Sequence, residues 1–89
     1  MLYKIYIGAN NKTGQVEQKK AVALISSVFD GFTITKSSGY WKGKPERSVV
    51  IELETEDKHG VMSLIQKLRE ALKQDAIGLA VIGKLQFIT

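Results

Sequence analysis

The sequence predicts an α+β domain in which two amphipathic helices pack on one face of a four-stranded antiparallel sheet, in the order β-α-β-β-α-β. Three observations predict this class: apolar residues alternate from the start of the chain, two stretches have helical periodicity, and further alternating segments stand between and after them. Because crossovers between strands of one sheet are right-handed, few topologies remain, and the ferredoxin-like βαββαβ sandwich with strand order 4-1-3-2 is favoured. Eighty-nine residues leave room for one domain, residues 1–89.

The first half of the chain predicts a strand, a helix and a second strand. Residues 2–8 alternate, with Tyr3, Ile5 and Ile7 on one face, which is typical of a half-buried strand. A helix is expected within residues 14–29, where apolar residues follow i, i+3, i+4, i+7 spacing: Ala21, Leu24, Ile25 and Val28. The second alternating strand covers residues 32–36.

Turn and cap residues mark the limits of the first helix. Asn11 or Thr13 is expected to cap its start with a side-chain oxygen. Gly31 is expected to end the helix, since glycine adopts the left-handed conformation freely.

The second half predicts a strand, a helix and a last strand after an irregular segment, residues 37–47. Residues 48–54 alternate, and Asp57 is expected to cap a helix over residues 58–74. The apolar stripe of that helix is Val61, Leu64, Ile65, Leu68, Ala71 and Leu72. Residues 77–88 predict the last strand, with Gly78 and Gly83 as irregularities or bulges.

Composition excludes several classes of protein. There are no cysteines, so neither disulfides nor thiolate-bound zinc can stabilise the fold. Strand-like alternation begins at once and no apolar run approaches the ~20 residues that span a bilayer, so we expect neither a signal peptide nor a membrane segment. A cytoplasmic protein is therefore predicted, in the host cytoplasm if a phage encodes it. The net charge of +4 is a modest excess that fits either an anionic partner or a domain that is basic without such a partner, and it is well short of what a dedicated nucleic-acid binder requires.

Three loops are predicted to converge at one end of the sheet: residues 8–14, the hairpin at residues 37–47 and the turn at residues 74–78. Functional residues concentrate on loops held by a rigid scaffold, so this loop end is the predicted site. Its candidate binding residues are Asn10, Asn11, Lys12, Thr13, Tyr40, Trp41, Lys42, Lys44, Glu46, Arg47 and Ser48. Lysines, an arginine and a helix N-terminus favour anions, and aromatic rings can stack on a planar group. A nucleotide-like or phosphate-bearing ligand fits this combination.

Other interpretations of the same residues stay open. Trp41 can instead pack over the end of the sheet and hold the hairpin in place. Neither a Gly-x-x-x-x-Gly-Lys-Ser/Thr loop nor Gly-x-Gly-x-x-Gly occurs, and no cluster has metal-ligand spacing, so no cofactor and no metal are predicted. The only histidine, His59, is expected at the opposite end of the sheet. An enzyme would therefore depend on Glu46 as acid or base.

The open face of the sheet predicts little affinity for nucleic acid. Glu52 and Glu54 on the third strand would repel phosphate, and the first strand offers only Tyr6 for stacking on a base. The face also includes Leu2, Val50 and Ile88, so self-association as a homodimer is the alternative use of this surface.

The central stretch resembles a family of small bacterial and phage proteins of unknown function. The resemblance lies in Gly31-Phe32-Thr33-Ile34, Gly39-Tyr40-Trp41 and Glu46-Arg47-Ser48, where that family has Gly-Leu-Thr-Val, Gly-x-Trp and Glu-x-Ser. Gln74-Asp75-Ala76-Ile77 is similar to the family's turn before its last strand. Many members have an export signal and a longer hairpin, neither of which we expect in this chain. The resemblance implies a fold and places Gly39, Trp41, Glu46 and Ser48 at motif positions.

Three hypotheses of function follow from the sequence. The first is a non-enzymatic binding module, a phage or prophage accessory protein that binds an anionic small molecule or a host protein through the loop end. The second is a small enzyme that uses Glu46 beside Trp41. The third is an assembly protein that associates through its sheet.

Overall fold

Four strands and two helices follow one another in the predicted order. The computed structural model of the chain describes residues 1–74 and 76–83, without the side chain of Trp41. The elements are β1 (Leu2–Gly8), α1 (Gln18–Ser26), β2 (Thr33–Trp41), β3 (Lys44–Glu54), α2 (Lys58–Ala71) and β4 (Gly78–Gly83). All paired strands are antiparallel in the order β2-β3-β1-β4, which is the predicted order read from the other edge. The ferredoxin-like α+β fold is therefore confirmed.

The core lies between the two helices and one face of the sheet. The period of two in β1 and β3 places every second side chain on that face, and the helical stripes supply the opposite side. The buried side chains are Tyr3, Ile5, Ile7, Ala21, Ile25, Val49, Ile51, Leu53, Val61, Leu64, Ile65, Leu68 and Leu72. The predicted faces of β1, β3 and α2 are thus confirmed, apart from Ala71, which is exposed.

Helix α2 begins as the sequence predicts and ends earlier. The Asp57 carboxylate accepts a hydrogen bond from the backbone N–H of Gly60 at 2.8 Å, so the predicted cap is present. At the other end the N–H of Gln74 donates to the Arg69 carbonyl at 3.0 Å, and that of Lys73 to the Glu70 carbonyl at 3.3 Å. This pair of bonds is a Schellman motif, and Lys73 occupies its left-handed position with φ 53°. The motif ends the helix and turns Gln74 towards β1.

Helix α1 is shorter than predicted at both ends. Its N-cap is Glu17, which makes no side-chain cap hydrogen bond, so the expected caps Asn11 and Thr13 were wrong. It ends at Ser26, its C-cap Ser27 has right-handed backbone angles, and Gly31 does not adopt a positive φ, so the expected role of Gly31 was also wrong. Val28 consequently lies beyond the helix and is 41% exposed.

The segment predicted to be irregular forms most of a long β-ribbon. Strand β2 continues to Trp41 and β3 starts at Lys44, joined by a two-residue turn. Lys42 and Gly43 have φ of 52° and 76°, the positive values that a type I′ turn requires and that match the twist of the strands. Pro45 is tolerated in β3 because β1 ends opposite Ser48, so no strand on that side requires its missing N–H.

The two glycines of β4 have different roles. Gly83 has φ 101° and lies at the register shift opposite Leu2, so the predicted irregularity there is confirmed. Gly78 pairs regularly with Tyr6, so the bulge predicted at this position was wrong. A Cβ atom on Gly78 would lie 3.2 Å from the Tyr6 Cβ, which shows that the close approach of this side chain favours glycine. The rest of the predicted strand, residues 84–88, lies outside the described residues.

Candidate functional site

The loop between β1 and α1 is held by its own hydrogen bonds. The Asn10 side-chain oxygen accepts from the backbone N–H groups of Lys12 at 2.8 Å and Thr13 at 3.3 Å. The Asn10 carbonyl accepts from Gly14 at 2.8 Å, and its N–H donates to the Gln15 carbonyl at 2.9 Å. Asparagine side chains compete in this way with helix formation, which is why the helix starts only at Gln18. The result is a closed loop next to the end of the sheet.

Two side-chain contacts bind this loop to the other two segments. Arg47 Nη1, near the base of the hairpin, donates to Gln15 Oε1 at 2.6 Å. Gln74 Nε2, just after α2, lies 3.4 Å from both the Gly8 and the Ala9 carbonyl oxygens. The loop after β1, the hairpin and the turn after α2 therefore meet at one end of the sheet, as the sequence predicts.

A basic cleft of about 350 Å³ opens between the start of α1 and the β2–β3 ribbon. Its positive charges come from Lys36 and Arg47. Arg47 is paired with Ser38, which lies two residues from Lys36 along β2, so both cations lie on one face of the ribbon. None of the described side chains lining it is acidic. They are Gln15, Val16, Gln18, Lys36, Ser37, Arg47, Ser48 and Val49.

A second cleft of about 340 Å³, here the Glu46 cleft, lies on the other side of Arg47. It separates the β1–α1 loop from the start of β3. Its lining residues are Ala9, Asn10, Asn11, Gly14, Pro45, Glu46 and Arg47. Arg47 lines both clefts, and its bond to Gln15 is part of the boundary between them. A ligand with a negative and a positive group could place one in each cleft.

The predicted site residues separate into three groups. Those that line the two clefts are Asn10, Asn11, Glu46, Arg47 and Ser48. Those at the same end of the molecule that line neither cleft are Lys12, Thr13, Tyr40, Lys42 and Lys44. Trp41 pairs with Lys44 in the ribbon, and its side chain lies outside the described part of the structure, so the packing of its ring stays a prediction.

Sequence reasoning missed most of the basic cleft. Gln15, Val16, Gln18, Lys36 and Ser37 line it and were not predicted as site residues. The available signal was the alternation of β2: Lys36 lies two residues beyond Ile34 and therefore on the helix-covered face of the sheet, where a cation is unusual. Gln15 offered no comparable signal, because only the folded loop brings it to Arg47.

Three further features bear on a metal site, on histidine chemistry and on a membrane segment. No group of three or more His, Cys, Asp or Glu side chains in residues 1–74 and 76–83 is placed to hold a metal ion. His59 lies in the first turn of α2, at the end of the sheet opposite the clefts, as predicted. In the described part of the chain, neither helix is long and apolar enough to cross a membrane.

The open face of the sheet carries polar pairs among its apolar side chains. Tyr6 is 44% exposed there, while Leu2 is buried and Ile88 lies outside the described residues. Lys4 pairs with Glu52 at 3.8 Å, and the Ser37 and Ser48 hydroxyls lie 2.6 Å apart. Self-association through this face and its low affinity for nucleic acid stay predictions.

Comparison with known proteins places the fold among characterised structures. No protein-family model matches the chain, and no curated protein sequence matches it. A phage SAM lyase in its apo state superimposes with a TM-score of 0.67 at 22% identity, over 88% of this chain and 75% of the other. A DUF3240 family protein from Shewanella baltica gives a TM-score of 0.60 at 13% identity, over 99% and 93% of the two chains.

A divalent cation tolerance protein, CutA1, from Thermus thermophilus is also similar. Its TM-score is 0.55 at 17% identity, over 97% of this chain and 88% of the other. At these identities the likeness shows the shared fold alone. The fold is therefore used by a phage enzyme and by a protein of cation tolerance, and the site must be argued from its own residues.

Proposed function

We propose that this protein is a small binding module that takes an anionic, nucleotide-like ligand at the loop end. The observation that carries the proposal is the basic cleft, whose lining combines Lys36 and Arg47 with amide and hydroxyl groups and, among the residues that the structure describes, includes no carboxylate. Its volume of about 350 Å³ lies in the range of small-molecule sites, ~300–1,000 Å³.

The arrangement of the two cations suits a phosphate or carboxylate group. Arginine presents a planar fork that can donate two parallel hydrogen bonds to such a group, while lysine adds a compact charge. Arg47 is already oriented by its bond to Gln15 through Nη1, so binding would require less ordering of its long side chain. The uncapped start of α1 lies beside the cleft through Gln18 and adds a partial positive charge.

Thermal denaturation with added nucleotides tests the proposal. At a ligand concentration of about 100 times Kd, a binder gains ~2.7 kcal/mol of stability. For a chain of 89 residues this corresponds to a rise in Tm of more than ~10 °C. AMP, ATP and a cyclic nucleotide are the probes, and inorganic phosphate reports on the anion alone.

Matched variants locate the binding. Lys36→Ala and Arg47→Ala should each raise the apparent Kd for the nucleotide at least tenfold, because each removes a charge that faces the ligand. The nucleotide-induced thermal shift should fall accordingly. Lys19→Ala, an exposed lysine on α1 that does not line the basic cleft, should leave it unchanged. The proposal is wrong if none of the probes shifts the Tm of the unmodified protein at millimolar concentration.

A second candidate is an enzyme that acts on S-adenosylmethionine with Glu46 as its acid or base. The likeness to a phage SAM lyase favours it, as does the position of Glu46 on a cleft beside Arg47. S-adenosylmethionine carries a carboxylate, which Arg47 could bind, and a sulfonium, which the Glu46 carboxylate would stabilise. A base that removes a proton from the carbon β to sulfur would let the C–H electron pair form a C=C bond while the C–S bond breaks, with the C–S electron pair retained by sulfur as a neutral thioether.

Incubation with S-adenosylmethionine, followed by mass spectrometry, distinguishes the candidates. An enzyme converts it to a thioether product. Glu46→Gln abolishes turnover and weakens binding, because it removes the charge that faces the sulfonium, whereas Glu17→Gln keeps both. A thermal shift without product supports the binding module alone. The protein's place in a phage or prophage, which the short sequence patterns and the likeness to a phage protein support, is tested by the genes that flank its own.

A further inference from the structure

The β2–β3 ribbon extends beyond the sheet as an arm, defined here as residues 38–47. Strand β1 ends opposite Ser48, so four residue pairs, from Ser38–Arg47 to Trp41–Lys44, continue past it. Strand β3 has 11 residues and is ~37 Å long at about 3.4 Å per residue. It accounts for the long dimension of the molecule, which measures 40 × 27 × 18 Å.

Most of the net charge of the chain is concentrated on this arm and its base. Residues 36–47 contain four basic side chains and one acidic side chain, which gives +3 of the total +4. Lys36, Lys42, Lys44 and Arg47 are all exposed. Tyr40, on the same ribbon, is 73% exposed, the largest value among the large hydrophobic side chains of the described residues. The sequence itself places these charges in one stretch, and the ribbon presents that stretch on a projecting arm.

We propose that the arm is a contact for duplex DNA, entering the major groove as a two-stranded ribbon. The groove is about 12 Å wide and 8.5 Å deep and admits a β-ribbon. Four residue pairs project ~14 Å, which is longer than the groove is deep, and paired strands lie only ~4.8 Å apart. The tight type I′ turn at Lys42 and Gly43 keeps the tip as narrow as the ribbon itself.

The chemistry of the arm favours a phosphate backbone over a protein partner. Lysine is depleted in protein–protein interfaces, whose centres are apolar, while Lys and Arg contact DNA phosphates and neutralise their charge. We expect the contact to be sequence-independent, since the described side chains of the tip offer charges and the exposed ring of Tyr40. The inference goes beyond the proposed ligand site, because Lys42 and Lys44 line neither cleft.

Fluorescence anisotropy with a labelled duplex of mixed sequence tests the inference. With about three phosphates neutralised, log Kd should change with log salt at a slope near 2.7, so that binding weakens ~40-fold between about 50 and 200 mM salt. The double variant Lys42→Glu/Lys44→Glu should lose at least tenfold in affinity. The control Lys19→Glu/Lys67→Glu makes the same change in net charge on exposed helix positions and should bind within threefold of the unmodified protein.

Four outcomes would overturn the inference. The first is an equal loss of affinity in both double variants, which would mean that affinity follows net charge alone. The second is unchanged binding by the arm variant. The third is tighter binding of single-stranded DNA or duplex RNA than of duplex DNA, and the fourth is no DNA binding at low salt. Should the arm variant denature early, Lys44→Gln alone replaces it and should lose at least twofold. Nucleotide-induced thermal shifts of the arm variant should remain normal, so failure of the cleft proposal and failure of this one are distinguishable.

Discussion

Replacing Lys73 by glycine should stabilise the protein, although glycine inside a helix destabilises it. Lys73 has φ 53° at the left-handed position of the Schellman motif that ends α2. A side chain in that conformation costs ~1–2 kcal/mol, which glycine avoids. Glycine loses more backbone freedom on folding, at about 0.5–1 kcal/mol. The expected net gain is therefore ~0.5–1 kcal/mol.

The gain is large enough to measure in a chain of this size. Unfolding entropy near 2.1 cal/mol/K per residue gives ~190 cal/mol/K for 89 residues, so Tm should rise by about 3–5 °C. Differential scanning calorimetry is the assay. Lys67→Gly, at an exposed position inside α2, is the matched control and should lower Tm by ~5 °C, since interior helical glycine costs ~1 kcal/mol. A fall in Tm for Lys73→Gly would refute the argument.

Three further predictions concern the other end of the sheet. Asp57→Ala should lower the free energy of unfolding by ~1 kcal/mol in urea denaturation, because Gly60 N–H loses its cap. Gly60→Ala should be nearly neutral alone, because the helix preference of alanine is offset by overlap of its Cβ with the Asp57 carboxylate. In the Asp57→Ala protein the overlap is gone, so the same change should stabilise by ~1 kcal/mol, and equal effects in both backgrounds would contradict this. Desolvation lowers the pKa of the Met1 ammonium, but Glu56 and Glu54 together raise it above its ordinary 8.0. The stabilisation that the charged ammonium gives the folded protein is therefore complete below pH 8.0 and is lost as pH rises through the raised pKa. Tm should fall with pH over that interval, and less steeply for Glu56→Gln.

The elements that the sequence predicts well are those whose pattern is decided locally. Strand β1 and helix α2 each bury one face, so their period appears directly in the spacing of apolar residues. The Asp57 cap is equally local, because the carboxylate and the N–H that it accepts from are three residues apart. The strand order then follows from chirality and from the order of the elements.

The elements predicted less well depend on partners distant in sequence. Residues 38–47 contain serine, glycine, lysine and proline, a composition typical of loops, yet they pair because each strand of the ribbon supplies the other's hydrogen bonds. The start of α1 was misplaced for a different reason. The Asn10 side chain bonds within its own loop, where it competes with the helix for the same backbone N–H groups.

The continuous pairing of the β2–β3 ribbon decides which side chains line the basic cleft. In a strand, successive residues face opposite sides, so a side chain's position depends on where pairing begins and on its register. Because β2 continues without a break past Lys36, this lysine and Ser38 lie on one face of β2, and Arg47 of β3, which pairs with Ser38, emerges on that same face. A loop at residues 37–47 would have left their relative positions undefined. The basic cleft therefore results from the register of β2 on β3, and a sequence-based search for charged loops finds Arg47 but not its partner Lys36.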